Sequence, residues 1–245
     1  MTSLALWAEW SDLFRDPEAQ LSIPWNELSI STDAPFLDVG AGTGRETIQI
    51  AIDLPQHEVV AIEPSLSMRI ALMARLSDRK DLHKRVTVLP LSLADVPTHY
   101  RVSGALLQNV IFSLPDVRGS LSKLTQILLP NAPVLVNHIH KGGTGMGHER
   151  SLISSAILGR LRYERWFERR ADGKECMRST NCYVLMDGSN VIYSESETTE
   201  TVNMDDSEIP GIAEAAGLVV DGANAPEYWI LRAPGTSTTL SEGTM

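Results

Sequence analysis

The segment Phe36–Arg45 constrains the fold of this chain more than any other part of its sequence. Its ten residues are FLDVGAGTGR, so an apolar run is followed by glycine at three alternate positions, Gly40, Gly42 and Gly44. Glycine adopts backbone conformations that other residues avoid, and it lets a turn approach a neighbouring group without a Cβ between them. The segment therefore predicts a buried strand, a tight turn and the start of a helix.

From Pro35 onward, short apolar segments alternate with amphipathic ones. The apolar segments are rich in Val, Ile and Leu, which is typical of strands covered on both faces. They are Phe36–Val39, Glu58–Ile62, Val86–Leu91, Gly104–Ile111 and Pro133–Ile139. The segments between them that have helical spacing and length are Thr43–Asp53, Leu66–Ser77 and Asp116–Leu129. This alternation predicts an α/β fold built on a doubly wound parallel sheet.

Acidic residues accompany the first two apolar runs. Asp38 lies in the first, and Glu63 directly follows the second run, which begins at Val59. Ligands of open α/β sheets bind at the carboxyl ends of the strands, and the free N–H groups of a helix start suit a phosphate or a carboxylate. A dinucleotide site would have its third glycine three positions after the second, where this chain has Arg45. Asp38 suits an ammonium group better than a pyrophosphate, and Glu63 is placed to accept hydrogen bonds from both hydroxyls of a ribose. An ammonium group, a carboxylate and a ribose together describe S-adenosylmethionine (SAM).

The segment Asp38–Gly44, followed by Glu63, Pro64 and Ser65, resembles the first two motifs of the class I SAM-dependent methyltransferases. The resemblance covers roughly residues 35–140. It implies a Rossmann-like, seven-stranded sheet, mostly parallel with an antiparallel last strand, in which Asp38 and the glycine loop hold the methionine part of SAM and Glu63 holds the ribose. The cofactor-binding residues that it implies are Asp38, Gly40, Gly42, Gly44, Glu63, Pro64, Ser65, Met68, Ser92, Leu93, Gln108 and Asn109.

The chain departs from the family at the third motif, where an acidic residue commonly faces the adenine amine. Here the sequence is Leu91-Ser92-Leu93, so Ser92 is expected to substitute, with Asp95 as the alternative. Met68 is equally compatible with core packing. Gln108 and Asn109 match the position in the fourth strand that usually flanks the sulfonium.

After Ile139 the alternation ends, and the sequence predicts additions to the sheet. Glu149–Arg170 predicts a helix whose arginines and glutamates pair at i,i+4 spacing. Thr180–Met186 and Val191–Thr201 predict a β-hairpin about the turn Asp187–Asn190. A helix around Glu208–Ala216 and the strands Leu218–Asp221 and Tyr228–Arg232 follow.

The predicted domain organisation has three parts. Residues 1–34 form an N-terminal helical lid segment, and residues 35–233 form the methyltransferase domain with a lid insertion at about 141–200. Residues 234–245 are rich in Thr, Ser and Gly and are expected to be disordered.

Candidate acceptor-binding and catalytic residues lie in the predicted additions. Trp7 and Trp10 on the leading helix are candidates to stack on a flat substrate, with closure of the core or of a dimer contact as the alternative. His138, His140 and His148 follow the fifth strand and are candidate bases, because histidine titrates near neutrality. His138 is also a candidate substrate contact, and a structural role remains the alternative for each histidine.

Composition limits the partners and the compartment. A net charge of −10 disfavours nucleic acid, and no apolar run reaches the roughly 20 residues that span a membrane. The two cysteines lack a paired motif, so neither a zinc site nor any other metal site is predicted, and reduced thiols in the cytoplasm are expected. No signal peptide is evident, and the chain is expected to be a monomer or a homodimer.

The function predicted from these observations is transfer of a methyl group from SAM, with S-adenosylhomocysteine (SAH) as product. The acceptor is a nitrogen or oxygen of a small molecule such as a heteroaromatic compound or another secondary metabolite, and protein or peptide methylation is the alternative within this chemistry. A SAM-binding regulatory protein without catalysis, and an NAD(P)-dependent oxidoreductase, are the alternatives from other classes.

Overall fold

The computed structural model describes residues 4–15, 21–138, 150–174, 176–221 and 227–235. Its helices are α1 (Ala5–Trp10), α2 (Arg45–Asp53), α3 (Leu66–Ser77), α4 (Val117–Ile127) and α5 (Ile209–Ala215). Its strands are β1 (Phe36–Val39), β2 (Val59–Ile62), β3 (Val86–Leu89), β4 (Gly104–Leu107), β5 (Pro133–Asn137), β6 (Ser151–Leu158), β7 (Leu161–Asp172), β8 (Cys176–Asp187), β9 (Asn190–Val202), β10 (Val219–Asp221) and β11 (Tyr228–Arg232). None of the helices in this part of the chain is long and apolar enough to cross a membrane.

The larger sheet has seven strands in the order β10-β11-β5-β4-β1-β2-β3. Strands β1 to β5 pair in parallel, whereas β11 is antiparallel to both β5 and β10. The strand order reverses between β1 and β4, which places the carboxyl ends of these strands at a topological switch point. The predicted mostly parallel sheet with an antiparallel last strand is confirmed.

Apolar side chains cover both faces of this sheet. On one face, Val134 and Val136 of β5 pack in a core with Leu121 of helix α4 and Ala213 of helix α5. On the other face, alternate strand residues such as Leu135 pack in a second core that contains Ile50 of helix α2. Because successive strand residues point to opposite faces, both must be apolar, which explains the nearly continuous apolar runs in the sequence.

The element boundaries agree closely with those predicted from the sequence, and the differences have local causes. The strand predicted over Gly104–Ile111 ends at Leu107, because Asn109 has a positive φ of 56° that extended backbone does not allow. Helix α2 begins at Arg45 rather than at Thr43, because Gly44 is still in the left-handed conformation that forms the turn.

The helix predicted over Glu149–Arg170 is wrong. Strands β6 to β9 form a separate four-stranded antiparallel sheet, the second sheet, and Gly159 lies in the turn between β6 and β7. Arginines and glutamates at i,i+4 positions of the sequence also stand at i,i+2 positions, which lie side by side on one face of a strand. The ion pairs observed are of this second kind, Arg162 with Glu164 and Arg170 with Glu168.

The hairpin predicted about Asp187–Asn190 is confirmed as the turn between β8 and β9, where Gly188 has a positive φ of 61°. The second sheet therefore contains two more strands than the predicted hairpin. It is an antiparallel meander, in which each strand pairs with the next one along the chain.

Residues 4–15, the N-terminal segment, connect the two sheets. On one side, Leu6 and Trp10 pack against Tyr183 of strand β8, and the Trp10 ring lies 4.9 Å from the ring of Tyr163 and 5.3 Å from that of Tyr183. On the other side, Asp12 forms an ion pair with Arg75 of helix α3. The segment thus connects the second sheet to helix α3, which follows strand β2 of the larger sheet.

We expect Trp10→Ala to lower the free energy of unfolding by about 3–5 kcal/mol, the usual cost of removing a buried aromatic ring. Only 3% of the Trp10 surface is exposed. Ile157→Ala, at a position that is 76% exposed, is the matched control and should change stability by less than about 0.5 kcal/mol. Urea denaturation measures both, and equal losses in the two variants would contradict the packing described.

Candidate functional site

The glycine loop of residues 40–44 lies at the carboxyl end of strand β1, beside the switch point of the larger sheet. The N–H groups of Gly40 and Ala41 both donate to the carbonyl of Ile62, at 2.9 and 3.1 Å, so the loop is fixed to the end of strand β2. The three glycines have positive φ angles of 68°, 55° and 82°. The loop therefore needs glycine at each of these positions for its backbone alone.

The three glycines differ in what surrounds them. A Cβ on Gly40 would lie 2.5 Å from Val110 Cγ2, and one on Gly44 would lie 2.5 Å from Leu72 Cγ. A Cβ on Gly42 would meet only the carbonyl oxygen of Gly40, at 3.9 Å. Gly40 and Gly44 are therefore packing positions, whereas Gly42 leaves space in which a ligand can approach the backbone.

Asp38, the third residue of strand β1, is almost completely buried. Its carboxylate accepts a hydrogen bond from Thr47 Oγ1 of helix α2 at 2.6 Å. Burial raises the pKa of Asp38 to about 7, against the effect of the Thr47 hydrogen bond. A buried carboxylate that titrates near neutrality is suited to pair with a cation, because the cation compensates the cost of removing the charge from water.

Glu63 follows strand β2, and backbone groups fix its carboxylate. Oε2 accepts from the N–H of Gly42 at 2.9 Å, and Oε1 accepts from the N–H of Ser65 at 2.7 Å. Each carboxylate oxygen has a second lone pair, so the group can still accept hydrogen bonds from two hydroxyls. Arg69 Nη1 donates to the Glu63 carbonyl at 2.7 Å and holds the backbone at this point.

The residues predicted near an adenine lie around strand ends β2 and β3. Ser65 is the N-cap of helix α3, and Met68 is buried on that helix. Ser92 and Asp95 bond to each other as the capping box of a 3₁₀ turn, and Leu93 is buried in the core beside them. The Asp95 carboxylate thus already has a hydrogen-bond donor in the Ser92 hydroxyl.

Asn109 and Gln108, at the end of strand β4, bond to two residues that the sequence analysis did not single out. The N–H of Asn109 donates to Asn137 Oδ1 at 2.6 Å, and Asn137 Nδ2 donates to Asn109 Oδ1 at 2.9 Å. Tyr228 Oη donates to Gln108 Oε1 at 3.0 Å. Asn137 is a polar residue near the carboxyl end of an apolar parallel strand, as Asp38 is in strand β1, so the sequence did contain the indication.

Of the three candidate bases, His138 lies among the described residues, whereas His140 and His148 lie outside them. His138 Nδ1 is 2.8 Å from Asp206 Oδ2, and the same carboxylate oxygen accepts from Trp229 Nε1 at 3.3 Å. His138 follows strand β5, and Asp206 begins the turn before helix α5, so the pair joins the point where the chain leaves the larger sheet to the segment by which it returns.

The N-terminal segment covers the glycine loop. Asp12 Oδ1 accepts from Thr43 Oγ1 at 3.2 Å, Arg75 Nε donates to the Thr43 carbonyl at 3.1 Å, and Arg15 pairs with Glu46 at 2.8 Å. Trp10 is buried against the second sheet, whereas the Trp7 ring lies 4.0 Å from the guanidinium carbon of Arg165. The sequence did not indicate Asp12 or Arg75, because their partners are distant along the chain.

Metal-ligating side chains are scattered over the part of the chain that the structure describes. No group of three or more His, Cys, Asp or Glu side chains there is arranged to hold a metal ion. Cys176 is partly buried and Cys182 is buried, and both are free thiols.

Solved structures of methyltransferases share this fold. The CcbJ methyltransferase from Streptomyces caelestis aligns with a TM-score of 0.72 at 16% identity, over 96% of this chain and 97% of that one. CalS10, an amino pentose methyltransferase from Micromonospora echinaspora involved in calicheamicin biosynthesis and solved with SAM bound, aligns with a TM-score of 0.64 at 14% identity, over 82% and 83%. The glycopeptide N-methyltransferase MtfA, solved with SAM, aligns with a TM-score of 0.54 at 18% identity, over 90% and 99%.

At the level of sequence, residues 37–134 match the model of the methyltransferase domain family. None of the curated proteins compared with the chain matches it. The matched range contains the glycine loop, Asp38 and Glu63, and it ends within strand β5. Residues 37–134 are therefore similar to a methyltransferase domain, and the chain has the fold of these solved methyltransferases.

Proposed function

We propose that this protein binds SAM and transfers its methyl group to a nitrogen or oxygen of a small molecule. The observation that carries the proposal is the arrangement at the carboxyl ends of β1 and β2, where Asp38, the open side of Gly42 and the carboxylate of Glu63 adjoin one another. Each of these three features suits a different part of SAM.

The residues present fit SAM on chemical grounds. Asp38 would accept from the ammonium group, the backbone N–H groups at the start of helix α2 suit the carboxylate, and Glu63 would accept from the ribose hydroxyls. Ser92 and Asp95 are the proposed contacts for adenine. The family match favours this cofactor over a dinucleotide. When bound, SAM supplies an activated methyl group, so that positioning accounts for much of the rate.

The chain's own contribution is to position the acceptor and to exclude water. Asn109 and Asn137 form a fixed pair at the ends of β4 and β5, where their remaining donors and acceptors are available to orient an acceptor. The N-terminal segment lies over the glycine loop, and with the second sheet it would screen the reacting groups from solvent.

A small-molecule acceptor is supported by composition and by the relatives. A net charge of −10 disfavours a nucleic acid substrate. Of the structurally similar proteins, CalS10 is an amino pentose methyltransferase and MtfA is a glycopeptide N-methyltransferase. We therefore propose that the preferred acceptor is a nitrogen of a natural-product-like molecule, with an oxygen as the second candidate. A cytoplasmic location and a monomeric or homodimeric state complete the proposal.

We expect Glu63→Gln to weaken SAM binding about 10- to 100-fold, because an amide replaces a charged acceptor and its NH₂ group faces a backbone N–H. Glu58→Gln, at an exposed residue before the amino end of strand β2, is the matched control and should leave affinity unchanged. Calorimetric titration with SAM, SAH and NADH measures this. Tight binding of NADH without SAM would overturn the proposed function.

We expect SAM affinity to fall about tenfold between pH 7 and pH 5.5. The ammonium group remains protonated over this range, whereas Asp38, with its pKa near 7, loses its charge. Asp38→Asn should abolish this pH dependence and weaken binding at pH 7. Full affinity in this variant would refute the assignment of Asp38 to the ammonium group.

Asp38→Asn should also change the stability of the protein in the absence of ligand. Because the pKa of Asp38 is higher in the folded chain than in the unfolded chain, this group's contribution to stability falls as the pH rises from about 4 to about 7. Without ligand, Asp38→Asn should therefore be more stable than the wild type at pH 8, as measured by thermal unfolding.

His138 remains the proposed base, oriented by Asp206. His138→Gln should lower turnover by at least about 100-fold while leaving SAM affinity intact, since a positioned base contributes about 10² to 10⁴. Turnover is measured on an acceptor recovered by incubating labelled SAM with metabolite extracts. Unchanged turnover with a lower thermal midpoint would instead identify the His138–Asp206 pair as a structural clamp.

A further inference from the structure

Arg165 of strand β7 lies on the face of the second sheet that packs against the N-terminal segment. It stands directly opposite Tyr183 of strand β8, whose ring contacts Trp10. Directly opposed residues of an antiparallel pair point to the same face, so Arg165 and Tyr183 share this surface.

The guanidinium group of Arg165 is held in place without a counterion. Its Nε donates to Asn181 Oδ1 at 2.8 Å, and its plane covers the Trp7 ring at 4.0 Å. In the described ranges its two Nη groups make no hydrogen bond, and no carboxylate forms an ion pair with it. Burial lowers the pKa of Arg165 to about 10, and the nearby charge of Arg15 acts in the same direction. A partly buried cation of this kind is costly unless something compensates it.

Two further polar groups of β7 and β8 are buried without a partner. Tyr183 Oη and Arg169 Nε have no hydrogen-bond partner among the described residues. Arg169 is four residues from Arg165 along the same strand, and therefore on the same face. This face thus holds several unused donors and a positive charge, which together suit an anion.

Glu197, a buried carboxylate on this face among the described residues, already has hydrogen-bond partners. Glu197 of strand β9 stands opposite Asn181 and accepts a hydrogen bond from the backbone N–H of Trp7 at 3.1 Å. It fixes the start of helix α1 instead of neutralising Arg165. Arg15, whose charge reaches Arg165, is paired with Glu46 in the first turn of helix α2. The surface around Arg165 therefore lies close to the glycine loop.

We propose that Arg165 and Tyr183 bind an oxyanion of the methyl acceptor, a carboxylate or a phosphate, on the face of the second sheet that meets the N-terminal segment. This inference rests on the proposed function, because it assigns the acceptor's anionic group to a surface beside the cofactor loop. Arginine matches both oxyanions through paired N–H donors, and the Tyr183 hydroxyl adds a third donor.

The experiment titrates protein saturated with SAH by calorimetry with benzoate, phenyl phosphate and the neutral benzamide. We expect at least one of the two anions to bind at least tenfold more tightly than benzamide, and the stronger of them identifies the group. Arg165→Gln should remove this preference, and Tyr183→Phe should weaken it. Arg162→Gln, on the opposite face of the same strand, should retain it.

Equal binding of the anions and benzamide, or an equal loss in Arg165→Gln and Arg162→Gln, would overturn the proposal. SAH affinity is measured separately in each variant and should stay unchanged in Arg165→Gln. Failure of wild-type protein to bind SAM or SAH would refute the proposed function, whereas the absence of any anion preference in wild-type protein that binds SAH would refute only the acceptor site.

Discussion

The hydrogen bond from the Gly42 N–H group to Glu63 is the interaction on which the arrangement of the site depends. It joins the turn after β1 to the end of β2, and the left-handed glycine conformations are what allow the turn to reach that carboxylate. Because the same carboxylate also accepts from Ser65 at the start of helix α3, one side chain orients two strand-to-helix connections. A rigid edge of this kind can hold an extended ligand across two strands without loop rearrangement.

The N-terminal segment connects the larger sheet, with its glycine loop, to the second sheet. Asp12 and Arg15 bind it to the glycine loop and to helix α2, while Trp10 and Glu197 bind it to the second sheet. The side chains of Asp12 and Arg15 contact the glycine loop and helix α2, and the aromatic side chains contact the second sheet. The glycine loop and the second sheet are thus connected through the twelve described residues 4–15.

The parallel sheet was predictable from the sequence because its strands are covered on both faces and so carry continuous apolar runs, such as that of residues 59–62. The positions of Asp38 and Glu63 in the fold follow from the same runs, since Asp38 is the third residue of strand β1 and Glu63 directly follows strand β2. The second sheet was not predictable from the sequence, because neither face of strand β7 is uniformly apolar. One face carries Arg162, Glu164 and Trp166, and the other carries Tyr163, Arg165 and Phe167. Contacts between distant segments, such as His138 with Asp206, leave no local pattern at all.

The contact between His138 and Asp206 also bears on how the chain folds. These residues are 68 positions apart, and strands β5 and β11, which flank them in sequence, are neighbours in the larger sheet. Closing so long a loop without internal structure would carry a large entropic cost. The second sheet is a meander of sequential hairpins, whose contacts are local and form quickly. Its formation shortens the effective distance between the two ends and so lowers the entropic cost of pairing β11 with β5.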